Sequence, residues 1–173
     1  MRDGRRRLSF LAAAALLASV LSVQSQLSPA RAESSIEKSL TGGWTQNGSY
    51  VWSGTARTAG VHHAFDATLT FDWPDAVDNV FVGHSVAKAR VLMNADGTGK
   101  VRGVEMFIGT VDGRRGQTIF EVEAAITNFT DYQGTAVCLG GTGGLENLEC
   151  AGSFVGTSSL GGHWTSGSYS FDE

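Results

Sequence analysis

The sequence predicts an all-β domain: a single antiparallel up-and-down β-barrel of roughly eight strands, with a β-sandwich as the alternative. Three observations predict it. Short runs of alternating apolar and polar residues, rich in β-branched and aromatic side chains, recur along the chain. No long window has the 3.6-residue apolar period of an amphipathic helix. Two Asp-Gly pairs, Asp96-Gly97 and Asp112-Gly113, mark tight turns between consecutive strands.

The first 32 residues have the organisation of a secretory signal peptide. Residues 5–7 are three arginines, residues 8–23 are apolar and rich in alanine, and Ala30-Arg31-Ala32 offers a cleavage site before Glu33. The apolar run is short for a lasting membrane span, so we expect none after cleavage; an uncleaved anchor is the alternative. This segment predicts a bacterial protein that is secreted or periplasmic.

The charge of the remaining chain limits the partners that it can have. Residues 33–173 hold eight basic and sixteen acidic side chains, which gives a net charge of −8. Because an acidic surface repels a phosphate backbone, nucleic acid is excluded as an expected partner. The length suits one domain, which we divide into a short lead-in over residues 33–45 and a barrel domain over residues 46–173.

Eight strand candidates follow the lead-in, each bounded by turn-forming residues. They cover residues 49–57, 62–73, 80–93, 100–111, 117–125, 134–139, 149–157 and 166–171. Consecutive antiparallel strands with short connections favour an up-and-down barrel over a sandwich.

The alternation within these candidates predicts which side chains face the barrel interior. The interior set comprises His63, Phe65, Ala67, Leu69, Phe71 and Trp73; Ala87, Ala89, Val91 and Met93; Val104, Met106 and Ile108; and Phe120, Val122 and Ala124. Glu105 is then assigned to the outer face.

Charged residues of the predicted outer face form either a lattice or a site. Lys88, Arg90, Glu105, Glu121 and Glu123 alternate with the interior positions, which predicts cross-strand charge pairs in water. The alternative is a functional site in which Glu105 and Glu123 lie side by side, so that repulsion between the two carboxylates raises the pKa of one of them.

The only cysteines, Cys138 and Cys150, are predicted to form a disulfide. An oxidising compartment favours pairing, and the glycine-rich residues between them allow two neighbouring strands to turn back. There is no C-x-x-C spacing, so a redox role is not favoured.

Two segments carry a resemblance to a known family. AKARVLMNADGTGKVRGVEMFIGTVDGRRGQTIFEV, residues 87–122, and GTGGLENLECAGSFVG, residues 141–156, resemble the strand-turn-strand pieces of a family of small uncharacterised bacterial proteins with an allene oxide cyclase-like, calycin-like barrel. The resemblance implies an antiparallel eight-stranded barrel and, as an alternative function, a cyclase or isomerase. It carries over no catalytic residue, because the cyclase active-site residues match no position in this sequence.

The residues that carry chemistry favour binding over catalysis. No histidine spacing supports a metal site, and no motif for a cofactor or for a nucleophilic serine is present. We therefore expect a non-enzymatic barrel that binds a small hydrophobic or amphipathic ligand, or a protein partner. The candidate ligand-binding residues are His63, Tyr50, Trp52, Phe65 and Trp73, with His63 as a polar contact at the barrel mouth.

Overall fold

A computed structural model describes residues 35–47 and 51–172; for residues 51–55 it describes the backbone only. The predicted signal peptide and the candidate residue Tyr50 lie outside the described residues. The described part forms ten strands. They are β1 (Lys38–Ser39), β2 (Gly43–Gln46), β3 (Val51–Ala59), β4 (His62–Trp73), β5 (Phe81–Asn94), β6 (Gly99–Val111), β7 (Arg114–Thr127), β8 (Asp131–Gly143), β9 (Leu148–Thr157) and β10 (Gly161–Phe171). No helix in this part of the chain is long and apolar enough to cross a membrane.

The ten strands form one antiparallel sheet, which confirms the predicted all-β class. Strands β4 to β9 each pair with the next strand in sequence. Strand β2 pairs with both β4 and β10 and so completes a ring of eight strands. The ring closes over a short stretch, because β2 forms only two residue pairs with β4 and two with β10. Strand β1 also pairs with β10, and strand β3 also pairs with β4.

The segment predicted as a lead-in contributes the strand that closes this ring. β1 and β2 are two and four residues long, too short for alternation to reveal them. Asn79 holds β2 in place through its side-chain amide. Its Oδ1 accepts the backbone N–H of Gly43 at 2.7 Å, and its Nδ2 donates to the carbonyl oxygens of Gly43 at 3.1 Å and Pro74 at 2.6 Å.

The Asp112-Gly113 turn fixes the register of β6 against β7. Both residues have positive φ, 51° and 78°, as a two-residue turn between twisted strands requires, which confirms the predicted tight turn. Val111 and Arg114 therefore face each other across the turn. This first pair determines which residues of β6 and β7 are opposed along the rest of the two strands.

The interior face predicted for β6 is wrong. Phe107 is fully buried and Glu105 is buried, whereas Val104, Met106 and Ile108 are 44–48% exposed on the outer wall. The register explains the inversion, because Glu105 pairs with Phe120 on β7 and with Ala87 on β5. Directly opposed residues share a face of the sheet, so Glu105 must point inward with these two neighbours.

One end of the ring is filled by aromatic side chains. Neighbouring ring centroids in this cluster lie between 5.2 and 6.4 Å apart, in stacked, tilted and edge-to-face arrangements typical of packed aromatic cores. The cluster consists of Trp73, Phe81, Phe107, Phe120 and Trp164. These side chains form the packed core of the ring at this end.

The predicted disulfide is confirmed. Cys138 on β8 and Cys150 on β9 are bonded, with their Cα atoms 5.0 Å apart. The adjacent pair in the ladder, Val137 with Ala151, shows that the bond joins neighbouring strands at matching register. Cys150 is buried in the hydrophobic core, and Cys138 packs against that core.

Candidate ligand-binding cavity

Above the aromatic end, the interior of the ring is hollow. A cavity of about 330 Å³ lies there, within the size range of small-molecule sites. The space exists because the inward positions at this level are small. They include Ala67, Ala87, Ala89, Gly103 and Ala124. At Gly103 even a methyl group is excluded, since a Cβ there would lie 2.9 Å from the Cβ of Ala89.

The cavity runs from the aromatic end to the turns at the opposite end of the ring. Phe129, Thr130 and Ser158, which lie in the turns after β7 and β9, line this far end. Phe129 has a positive φ of 65° and donates its backbone N–H to the carbonyl of Gly97 at 2.9 Å. Its side chain is 57% exposed, so an aromatic ring stands at the rim where the cavity meets solvent.

A chain of hydrogen bonds runs through the buried floor of the cavity. Trp73 donates its indole N–H to Ser85 Oγ at 2.9 Å, and Ser85 donates its hydroxyl to Glu105 Oε1 at 2.5 Å. Trp73, Ser85 and Glu105 are all at most 9% exposed. Trp73 and Glu105 line the cavity, so the chain ends on a carboxyl group that faces predominantly apolar walls.

Burial raises the pKa of Glu105 to about 7. The hydrogen bonds from Ser85 and Trp73 favour the carboxylate and lower the pKa, but removal from water outweighs them. None of the lining residues in the described part is a lysine, arginine or histidine, so no cation offsets the burial. Near neutral pH the carboxyl is therefore present in both forms, and its neutral form has a proton to donate.

The carboxylate pair predicted between Glu105 and Glu123 does not form. Glu123 lies on the outer wall, 51% exposed, and its carboxylate is 2.6 Å from the guanidinium of Arg102. On the outer wall, Arg102 thus forms an ion pair with Glu123, and Arg90 forms a second one with Asp66 at 3.0 Å. The pKa of Glu105 is raised by burial, with no contribution from a second carboxylate.

Only some of the predicted ligand-binding residues line the cavity. Phe65 and Trp73 line the cavity. His63 is exposed near the end of β4, with its Nδ1 3.3 Å from Thr58 Oγ1, and is not among the lining residues. Trp52 lies on β3, where only the backbone is described, and Tyr50 lies outside the described residues.

Sequence reasoning missed three polar groups of the floor, namely Ser85, Glu105 and the indole of Trp164. A signal for Glu105 was present in the Asp112-Gly113 turn, since a two-residue turn there places Glu105 opposite Phe120, which the alternation assigned to the interior. Ser85 and Trp164 have no such signal, because a serine in a strand and an aromatic in a strand fit either face. Among the described residues, no group of three or more metal-ligating side chains is gathered in one place.

Comparison with known proteins supports the fold but does not identify an activity. No family model and no curated protein matches the sequence. Among solved structures, the chain is similar to a protein of unknown function from the DUF3224 family of Shewanella oneidensis MR-1. The two are 15% identical with a TM-score of 0.63, over 80% of this chain and 100% of that one. At this identity the similarity shows an all-β fold alone, and the resemblance to allene oxide cyclase stays a prediction.

Proposed function

We propose that this protein binds a small hydrophobic or amphipathic molecule inside its ring of strands. The observation that carries the proposal is the apolar cavity of about 330 Å³ with a single buried carboxyl on its floor. Apolar walls supply affinity through burial of the ligand surface, and a few fixed polar groups set its orientation. A cavity inside a ring fits a small molecule better than a protein surface, so a protein partner takes second place.

The proposal places the protein outside the cytoplasm. The predicted signal peptide directs export, and the Cys138–Cys150 disulfide is compatible with an oxidising compartment. A secreted or periplasmic barrel with an apolar interior is suited to carry or sequester molecules that dissolve poorly in water.

The experiment combines native mass spectrometry with a matched pair of cavity variants. Protein purified from its source is expected to retain a small molecule, and an environment-sensitive apolar dye is expected to compete with it. Ala89→Phe fills the cavity and abolishes dye binding, whereas Val86→Phe adds the same ring on the outer wall and leaves binding unchanged. Equal binding by both variants would place the dye outside the cavity and refute the proposal.

A cyclase or isomerase activity is the second candidate, and Glu105 favours it. A buried carboxyl that is partly protonated near pH 7 is a suitable proton donor to a substrate held in an apolar cavity. Such an activity holds a flexible substrate in one conformation, which the surrounding walls support. The test is chiral product analysis with an unsaturated epoxide: loss of stereochemical control in Glu105→Gln with retained dye binding supports it, and racemic product from the unaltered protein excludes it.

A further inference from the structure

The indole N–H of Trp164 is a buried donor without an acceptor. Trp164 lies on β10, is 8% exposed and lines the cavity. Its Nε1 has no hydrogen-bond partner among the described residues. The indole of Trp73 in the same cluster is different, because Ser85 accepts its N–H. Buried donors are almost always paired, so an unpaired donor on a side chain that lines a cavity favours an occupant of the cavity that supplies the acceptor.

The orientation of the indole supports this interpretation. The Cε3 edge of Trp164 faces the wall at β9, 3.0 Å from the position that a Cβ on Gly152 would take. Nε1 lies on the opposite side of the fused ring, so the N–H points away from that wall. The ring centroid is 6.2 Å from that of Trp73 and 6.3 Å from that of Phe120, which places the indole on the same floor as the Glu105 chain.

Glu105 presents a second donor to the same space. Phe120 is its direct neighbour on β7 and Ala87 its neighbour on β5, and Ser85 donates to its Oε1. None of these groups is charged, and the one other ionisable side chain among the described lining residues is the phenol of Tyr132. The neutral carboxyl therefore has an O–H left to donate, and the floor offers two donors and no cation.

We propose that the ligand carries a carbonyl oxygen at the end of an apolar body, and that this oxygen accepts the indole N–H of Trp164 on the floor beside Glu105. The inference rests on the proposed binding function and adds the polar group that the floor selects. A carbonyl satisfies the orphan donor without bringing a charge into an apolar cavity. A purely apolar ligand leaves the donor unpaired, and an ammonium ligand adds a further donor that cannot accept the indole N–H.

The experiment compares two nearly isosteric probes that differ in one atom. 2-Acetylnaphthalene has a carbonyl oxygen where 2-isopropenylnaphthalene has a methylene group, so the two probes have nearly the same shape and only the ketone can accept a hydrogen bond; calorimetry gives the Kd of each. We expect the ketone to bind about tenfold more tightly. In Trp164→Phe, which keeps an aromatic ring and removes the N–H, the preference disappears. Trp44→Phe, a matched change at another lining tryptophan, keeps it.

The outcomes separate this inference from the proposed function. If neither probe binds, the proposed function fails and this inference fails with it. If both bind equally, the cavity binds ligands but the carbonyl inference is overturned. Tightest binding of 1-(2-naphthyl)ethylamine, strengthening as the pH rises above 7, would also overturn it. Should Trp164→Phe fail to fold, the infrared carbonyl stretch of the bound ketone decides: a shift to lower wavenumber relative to hexane solution supports the hydrogen bond, and no shift refutes it.

Discussion

Replacing Glu105 by glutamine removes a group whose burial makes the free energy of unfolding fall as the pH rises through neutrality. In the folded protein its pKa is about 7, against an ordinary value of 4.5 in the unfolded chain. Between these two values the folded state keeps the proton and the unfolded state has lost it. The unfolded state therefore binds fewer protons, and the free energy of unfolding decreases as the pH rises.

The magnitude follows from the difference between the two pKa values. One pKa unit corresponds to about 1.4 kcal/mol, so the full effect is about 3 kcal/mol, of which about 2.5 kcal/mol falls between pH 5 and pH 8. Below pH 4.5 the carboxyl is protonated in both the folded and the unfolded state, and above pH 7 it is ionised in both. Outside this range Glu105 therefore no longer makes the free energy of unfolding depend on pH. The lowered pKa values of Asp66, Asp96 and Asp112 act below pH 4, outside this window.

The assay is denaturant unfolding followed by tryptophan fluorescence at pH 5 and pH 8. Glu105→Gln keeps a side-chain oxygen to accept the Ser85 hydroxyl and remains neutral throughout. We expect it to resemble the unaltered protein at pH 5 and to exceed it by about 2–3 kcal/mol at pH 8. Glu123→Gln, on the exposed outer wall, serves as the control and should stay within about 0.5 kcal/mol of the unaltered protein at both values. Parallel pH dependence in Glu105→Gln and the unaltered protein would refute the reasoning.

Three further predictions test the faces, the disulfide and the closure of the ring. Phe107→Ala removes a fully buried ring and should cost about 3–5 kcal/mol, whereas Met106→Ala on the outer wall should cost less than about 1 kcal/mol in the same denaturation assay; the reverse order would restore the original face assignment. Replacing both Cys138 and Cys150 by serine should lower stability by about 3 kcal/mol on the chain-entropy model for a separation of 12 residues, and an unchanged denaturation midpoint would contradict it. Asn79→Ala should cost about 1–3 kcal/mol and speed hydrogen exchange of the β2 amides while β6 stays protected; uniform exchange in both strands would show that Asn79 does not hold the closure.

Local patterns predicted the long strands because each carries its own information. The candidate over residues 62–73 coincides with β4, and the Asp-Gly turns and the disulfide follow from the chemistry of adjacent residues. The closing strand β2 was missed because four residues hold no readable period. Its position depends on Asn79, which lies more than thirty residues away in sequence. Contacts of that range cannot be found in a local window.

The face of β6 shows a different limit, in which two patterns within one strand disagree. Val104, Met106 and Ile108 make one face more apolar, whereas the turn register aligns Glu105 with the interior residues of both neighbouring strands. The register prevails because a one-residue slip would invert a whole strand against partners that bury Phe107 and Val111 completely. Pairing with two neighbours constrains a strand more strongly than its own apolar content does.

The same inversion creates the features that suggest a function. An inward Glu105 costs the empty protein stability above pH 4.5, and small side chains such as Ala67 and Ala87 leave open space along the walls around it. A ligand at a hundred times its Kd stabilises the folded state by about 2.7 kcal/mol, which is comparable to the cost of burying Glu105. A ring optimised for stability alone would place a neutral side chain at position 105 and larger ones around it. The hollow, acidic interior therefore agrees with the proposed binding function, in which a bound molecule would restore the stability that the empty ring lacks.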